Sequence, residues 1–99
     1  MKKSLVLSLF FFFTALSAFS QIIGNVTSTK GDTLPFVNIY IEGSFKGTTS
    51  NEHGNYRLDI SEKGNHTVVF QFLGFKTLKK PVDISSFPFE LNVKMQEET

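Results

Sequence analysis

Few side chains in this sequence have the types and spacing that chemistry requires. It contains two histidines, His53 and His66, and no cysteine, which excludes a thiolate zinc site and a cysteine nucleophile. Neither histidine has a second metal ligand at a suitable spacing. Ser28, Ser50 and Ser61 have no neighbouring base in the sequence that would activate a hydroxyl group. The sequence therefore predicts a protein with no enzymatic activity, no catalytic residue and no metal or other cofactor.

The charge balance also excludes a class of partner. Ten Lys and Arg residues oppose nine Asp and Glu residues. Two of the positive charges, Lys2 and Lys3, lie in a predicted export signal, and without them eight positive charges oppose nine negative ones. Such a chain has no strong field for the phosphates of DNA or RNA, so no nucleic-acid partner is expected.

The first 20 residues have the pattern of a secretory signal. Lys2 and Lys3 precede an apolar run over residues 5–16, which is shorter than the roughly 20 residues that a membrane-spanning helix needs. Small residues then lie three and one positions before a cut between Ser20 and Gln21. We predict cleavage there, a mature chain without a transmembrane helix, and a location in the periplasm or outer membrane of a Gram-negative cell.

After the signal, apolar and polar residues alternate with a period of two, which is typical of half-buried strands. Turn residues interrupt these runs about every 8 to 12 positions, a spacing that indicates two packed sheets. The predicted fold is an all-β, small antiparallel β-sandwich of about seven strands, similar to an immunoglobulin domain; a small closed barrel is the second choice. The residues expected to face inward are Val37, Ile39, Ile41, Tyr56, Leu58, Ile60, Phe89, Leu91, Val93 and Met95, and the segment from His66 to Leu73 is expected to be a central strand.

The stretch between the second and third alternating runs is the most specific part of the sequence. Its turn motif, completed by a Gly-Phe pair further along, consists of Gly47, Thr48, Gly54, Tyr56, Gly74 and Phe75. With these residues the chain resembles the carboxypeptidase-regulatory-like domain, a transthyretin-like sandwich, over residues 21–95. Ser50 and Asn51 stand where that family usually has a Thr-Asp pair. In the plain interpretation of the turn, Gly54 adopts a positive φ and Asn51 and Asn55 bind local backbone.

The resemblance implies a function without chemistry. Such domains commonly follow the signal of an exported protein and precede a TonB-dependent outer-membrane receptor, so the expected partner is a downstream outer-membrane domain or another envelope protein. Residues 96–99 are then the start of a linker or the end of the chain. The alternative is a substrate-binding or regulatory module of a secreted hydrolase or carboxypeptidase, with Tyr40 or Phe45 as the contact.

Two groups of exposed side chains are candidates for an interaction surface. Phe36 and Phe45, together with Phe75, are predicted to be exposed by parity or turn position, and such aromatic groups dock partners. Lys76, Lys79 and Lys80 form a short basic run. The run is either a contact for lipid headgroups or an acidic partner or, with Pro81, protection of an edge strand.

Overall fold

A computed structural model describes residues 20–98, which form eight β-strands in two sheets. The predicted signal over residues 1–20 lies outside the described residues except for Ser20. Strand β1 begins at Gln21, directly after the predicted cut. The strands are β1 (Gln21–Ser28), β2 (Asn38–Ile41), β3 (Gly47–Thr49), β4 (Asn55–Asp59), β5 (Gly64–Gln71), β6 (Leu78–Ile84), β7 (Phe89–Glu90) and β8 (Val93–Met95).

The two sheets pack face to face, and the predicted all-β sandwich is confirmed. In the first sheet β1 lies between β4 and the short strands β7 and β8. In the second sheet the order is β3-β2-β5-β6. The pairing differs from a purely antiparallel sandwich, because β7 and β8 run parallel to β1. After β6 the chain crosses to the first sheet. As a result, β7 and β8 run in the same direction as β1.

The alternating residues occupy the core as predicted. Side chains from both sheets form one buried cluster, with Phe89 and Leu91 packed at its margin. Strand β5 lies between β2 and β6 and has buried residues on both faces, which confirms the predicted central strand. The buried members of the cluster are Ile22, Val26, Leu34, Val37, Ile39, Ile41, Tyr56, Leu58, Ile60, Val68, Phe70, Ile84, Val93 and Met95.

The last predicted strand is interrupted and forms two short strands, β7 and β8. Between β7 and β8 the carbonyl of Leu91 lies against Gly24, where an added Cβ would clash with that oxygen. The Tyr56 hydroxyl donates to the same carbonyl at 2.5 Å. One residue further on, the backbone N–H of Asn25 donates to Oδ1 of Asn92 at 2.9 Å. A side chain thus replaces a main-chain acceptor, and Gly24 is needed because the two backbones approach so closely.

The strand directions define two ends of the sandwich. One carries Ser20 and the β2–β3, β4–β5 and β6–β7 connections, and we call it the head end. The other carries the β1–β2, β3–β4 and β5–β6 connections together with residues 96–98, and we call it the tail end. The chain therefore enters the fold at the head end, and its last described residue lies at the tail end.

Candidate interaction surface

Hydrogen bonds to one buried hydroxyl group hold the β1–β2 connection in place at the tail end. Ser50 is almost fully buried, and its Oγ accepts from the N–H of Val37 at 2.9 Å and donates to the carbonyl of Leu34 at 2.7 Å. Its carbonyl accepts from the N–H of Phe36 at 3.0 Å. Ser50 is therefore structural, since its hydroxyl group is already committed to the backbone on both sides.

Phe36 lies in this β1–β2 connection, and its side chain projects into solvent. Its φ is +62°, in the left-handed region that side chains other than Gly, Asn and Asp seldom adopt. Pro35 followed by a positive φ is the pattern of a type II turn, whose third position favours glycine. The Phe36 side chain is 73% exposed, as predicted. The turn thus holds a large apolar group in water with a strained backbone.

Leu73 lies at the same end of the second sheet as Phe36. The last pair between β2 and β5 is Asn38 with Gln71, and Phe36 and Leu73 each lie two residues beyond it. Leu73 is 96% exposed. The sequence pattern placed Leu73 in the predicted central strand over residues 66–73, so it was not among the predicted interaction residues. The following glycine was the available signal that the strand ends and the chain turns.

Phe75 differs from the prediction, because it is half-buried rather than exposed. Its ring stacks on Phe72 with centroids 5.5 Å apart, and both rings pack against the core. The backbone between them closes a turn, with the N–H of Phe75 donating to the carbonyl of Phe72 at 3.0 Å and Gly74 at a φ of +86°. This turn presents Leu73 outward.

Residues 96–98 lie along the β5–β6 turn, beyond the predicted domain boundary at Met95. Phe75 and Glu97 form an isolated antiparallel bridge. On either side of it, the N–H of Lys76 donates to the carbonyl of Gln96, and the N–H of Glu98 donates to the carbonyl of Gly74, each at 2.9 Å. The end of the described chain is therefore held next to Leu73.

The β3–β4 turn completes the tail end and follows the plain interpretation of the motif. Gly54 has a φ of +79° and its carbonyl accepts from the N–H of Val26. Oδ1 of Asn51 accepts from the N–H groups of His53 and Asn55 at 3.0 and 2.9 Å. Gly47 and Thr48, the first residues of the motif, lie on β3 rather than in a turn.

The predicted interaction residues do not form one surface. Phe45 is fully exposed but lies in the β2–β3 connection at the head end, the opposite end from Phe36. Lys79 and Lys80 lie on β6, which is an edge of the second sheet, and the Lys79 ammonium is 3.4 Å from a Glu42 carboxylate oxygen. Their position on this edge fits the protective interpretation. Of the basic run, only Lys76 lies in the β5–β6 turn at the tail end.

The histidines lie apart in the structure. His53 is on the β3–β4 turn, 3.4 Å from a Glu52 carboxylate oxygen. His66 is on β5, where its Nε2 lies 2.8 Å from the carbonyl oxygen of Glu62. Across residues 20–98, no three His, Cys, Asp or Glu side chains are grouped as a metal site would need. In the same range no helix is long and apolar enough to cross a membrane.

Burial perturbs one titratable group. It raises the pKa of Tyr56, whose hydroxyl donates to the carbonyl of Leu91. The phenol therefore keeps its proton in the folded protein. Tyr56 also contacts the core ring of Phe70 edge-on, with centroids 5.7 Å apart, so this motif residue acts in packing.

Comparison with known proteins gives a family match over nearly the whole described chain. The model of the CarboxypepD_reg-like domain matches residues 22–99. A TonB-dependent receptor, receptor P3 of Formosa agariphila, is 37% identical over 81 residues, covering 76% of this chain. The chain spans 8% of the length of that receptor.

Solved structures with the same fold are distant in sequence. A chain of the type II cohesin-X-dockerin complex of Acetivibrio cellulolyticus, in an N-terminal interface mutant, superposes with a TM-score of 0.61 at 15% identity, covering 79% of this chain and 58% of its own. A chain of the C-terminal interface mutant of that complex gives 0.55 at 13% identity, with 76% and 51% covered. These similarities support the β-sandwich fold alone.

Proposed function

Because this chain belongs to the CarboxypepD_reg-like domain family, we propose that it is a non-catalytic exported module that serves a TonB-dependent receptor-like protein of the outer membrane. The observation that carries the proposal is the 37% identity to TonB-dependent receptor P3. The export signal predicted over residues 1–20 and cleaved after Ser20 agrees with a place in the envelope. The module supplies a folded appendage and a contact surface, and the receptor supplies transport.

The side chains support a role without catalysis. The two histidines belong to different parts of the fold, and the buried hydroxyl of Ser50 binds backbone on both sides. The hydrolase-module alternative has less support, because its two candidate contacts are unlike one another. Tyr40 is half-buried, whereas Phe45 is fully exposed on a connection.

The receptor role is tested in the cell that makes the protein. Cells expressing the natural gene product are fractionated, and the module is located with an antibody while mass spectrometry identifies its mature N-terminus. We expect outer-membrane fractions, a first residue of Gln21, and impaired receptor uptake when residues 22–98 are deleted in frame. Recovery from the culture medium alone, or unchanged uptake after the deletion, contradicts the proposal.

The absence of catalysis is tested separately. The purified exported protein is incubated with peptides that carry different C-terminal residues, with and without added Zn²⁺. We expect no release of C-terminal amino acids. Turnover that disappears when the metal is chelated contradicts a non-catalytic module.

A further inference from the structure

Strand β4 has one unpaired edge, and this edge borders a groove at the head end of the sandwich. The other side of the groove comes from the β2–β3 connection and the start of β3, and its lining residues include Phe45, Lys46, Gly47, Arg57 and Asp59. We propose that the groove binds an extended acidic segment of a partner polypeptide, which adds to β4 as a further strand. This inference rests on the proposed function, in which the module supplies a contact surface, and it names the chemistry of what that surface binds.

The register with β1 shows which backbone groups of β4 face the unpaired edge. The N–H of Val26 donates to the carbonyl of Gly54, and the N–H of Ile60 donates to the carbonyl of Ser20. Hydrogen-bonded and non-hydrogen-bonded pairs alternate along an antiparallel ladder. Every second residue of β4 therefore turns its N–H and carbonyl away from β1. These residues are Asn55, Arg57 and Asp59.

Two of these three residues keep their edge groups free. Asn55 is used by the β3–β4 turn, because its N–H donates to Oδ1 of Asn51 and its carbonyl accepts from the N–H of Asn51. Within residues 20–98, no backbone hydrogen bond joins Arg57 or Asp59 to a segment on that side. Their N–H groups and carbonyls, two residues apart, are what an added strand pairs with.

The edge of β3 on the other side of the groove is unpaired as well. The N–H of Ile41 donates to the carbonyl of Lys46, so the next pair along the ladder, Tyr40 with Gly47, is a non-hydrogen-bonded one. Gly47 therefore turns its N–H and carbonyl away from β2. No ladder joins β3 to β4 in the described chain, so the groove has free backbone groups on both sides.

The edge of β6, by contrast, is blocked against strand addition. Pro81 is paired with Thr67 of β5, and the carbonyl of Thr67 accepts from the N–H of Glu42 on the opposite side. The nitrogen of Pro81 therefore faces the free edge, where proline has no hydrogen to donate. Lys79 and Lys80 protect the same edge. Strand β4 contains neither a proline nor a lysine, so its edge lacks this protection.

The side chains around the groove select an acidic occupant. Lys46 and Arg57 are exposed and both line it, and across residues 20–98 neither is in an ion pair. Asp59, the acidic residue of the lining, accepts from Nε2 of Gln21 at 3.2 Å. Phe45 is fully exposed at the same groove and offers a contact to an apolar side chain. A segment that alternates acidic and apolar residues fits both features.

Fluorescence anisotropy tests the proposal with the full natural gene product, purified in detergent. The probe is a short fluorescein-labelled peptide of alternating glutamate and valine, and a peptide with lysine in place of glutamate is the charge control. Two further versions of the probe carry N-methyl groups on either the glutamates or the valines. We expect the acidic peptide to bind roughly tenfold more tightly than the lysine peptide. We expect the two N-methylated peptides to differ roughly tenfold, because only one set of N–H groups faces β4.

A pair of variants at one position assigns the binding to the edge of β4. Asp59→Pro removes an edge N–H, as Pro81 does on β6, whereas Asp59→Ala removes the same charge and keeps the N–H. Loss of a negative charge favours an acidic ligand, so weaker binding by a folded Asp59→Pro variant reports the blocked edge. We expect Asp59→Pro to weaken binding roughly tenfold and Asp59→Ala not to weaken it. Thermal melts check that both variants are folded.

A charge reversal gives a second test that does not depend on a proline in β4. Lys46→Glu reverses a charge in the groove, and Lys80→Glu reverses the same charge on the edge of β6. Both side chains are exposed. We expect Lys46→Glu to weaken binding of the acidic peptide roughly fivefold and Lys80→Glu to change it less than about twofold. Equal effects of the two changes contradict an acidic ligand in this groove.

The remaining outcomes separate the binding site from the receptor role. Equal binding of the acidic and lysine peptides, or of the two N-methylated peptides, contradicts strand addition by an acidic segment. A dimer that Asp59→Pro alone dissociates makes a second copy the occupant, which also overturns the proposal. If uptake still depends on the module in these cases, the proposed function stands and only the binding site is wrong. Specific binding by a protein whose uptake is unchanged after deletion of residues 22–98 keeps the site and overturns the receptor role.

Discussion

The two ends of the sandwich are built differently from similar residues. At the tail end, hydrogen bonds join separate connections: Ser50 reaches the β1–β2 loop, Gly54 binds β1, and residues 96–98 pair with the β5–β6 turn. At the head end, the β2–β3 connection closes largely on itself, with Ser44 binding Ile41 and Lys46. Each end nevertheless has a serine, a left-handed glycine and an exposed phenylalanine.

Residue type alone therefore does not reveal how strongly a turn is held by the rest of the fold. The two polar residues that are almost fully buried in the described chain, Ser28 and Ser50, both lie at the tail end. Oγ of Ser28 accepts from the N–H groups of Lys30 and Asp32. A buried hydroxyl with both partners satisfied fixes the loops around it. The tail end is therefore preorganised, whereas the β2–β3 connection at the head end is an exposed turn.

Replacing one left-handed glycine at each end, Gly54 at the tail end and Gly43 at the head end, should give the largest difference in the free energy of unfolding. Gly54 and Gly43 have φ values of +79° and +81°, but a Cβ at Gly54 would lie 2.5 Å from the carbonyl oxygen of Val26, and at Gly43 it meets open space. We expect Gly54→Ala to lower the free energy of unfolding by about 3 to 5 kcal/mol and Gly43→Ala by about 1 kcal/mol. Urea denaturation measures both, and equal losses would contradict the close packing at the tail end.

Replacing Ser50 at the tail end and Ser44 at the head end should give the next largest difference in the free energy of unfolding. Ser50→Ala leaves a buried N–H and a buried carbonyl without partners, so we expect a loss of about 1 to 3 kcal/mol. Ser44 is exposed, and Ser44→Ala should change the free energy of unfolding by less than about 0.5 kcal/mol because water replaces the hydroxyl. A loss at Ser44 that matches the loss at Ser50 would show that the two turns are equally constrained.

Tyr56 lies away from both ends, in the first sheet, where its ring passes over Gly24 of β1 and its hydroxyl reaches Leu91. Tyr56→Phe removes the hydrogen bond to Leu91, and we expect a loss of about 1 kcal/mol at neutral pH. Because burial raises the pKa of Tyr56 in the folded state, its phenol ionises first in the unfolded chain. Its contribution to stability is complete below pH about 10 and declines as the pH rises further.

Denaturation curves collected between neutral and strongly alkaline pH check this dependence. Tyr56→Phe should flatten the alkaline decline in the free energy of unfolding. Tyr40→Phe, on the second sheet, is the control and should retain the decline. The same slope in both variants would mean that Tyr56 is not the responsible group.

Replacing the exposed phenylalanines should change the free energy of unfolding least. The two replacements are expected to change it in opposite directions. Phe36→Gly relieves the left-handed strain, which outweighs the freedom that glycine adds to the unfolded chain, so we expect a gain of about 0.5 kcal/mol. Phe45→Gly relieves no left-handed strain and should lower the free energy of unfolding by about 0.5 kcal/mol. Thermal melts of the two variants at one pH measure the difference. A stabilised Phe45→Gly, or a destabilised Phe36→Gly, would remove the argument that strain is retained at the tail end.

Local patterns in the sequence were enough to predict much of the fold. Alternation with a period of two identified the inward faces of β2 and β4, because each pleated strand buries every second side chain. The two-sided apolar character of residues 66–73 identified β5 as central. The positive φ of Gly54 followed from the turn residues around it.

Relations between distant segments were decided by the tertiary structure. The sequence pattern runs unbroken from Phe89 to Met95, yet the strand is interrupted because the carbonyl of Leu91 meets Gly24 and Asn92 binds β1. Parity predicted that Phe36 and Phe45 are exposed, but strand direction places them at opposite ends. Leu73 shares an end of the sandwich with Phe36 because β2 and β5 run antiparallel, with Asn38 paired to Gln71.

The sequence by itself thus determined the family and the alternating core, since both rest on local patterns of residue type along the chain. Only the tertiary structure decided which exposed side chains share an end, and which serines are buried between loops. Those properties depend on contacts between residues far apart in sequence, and single-sequence periodicity carries no information about such contacts.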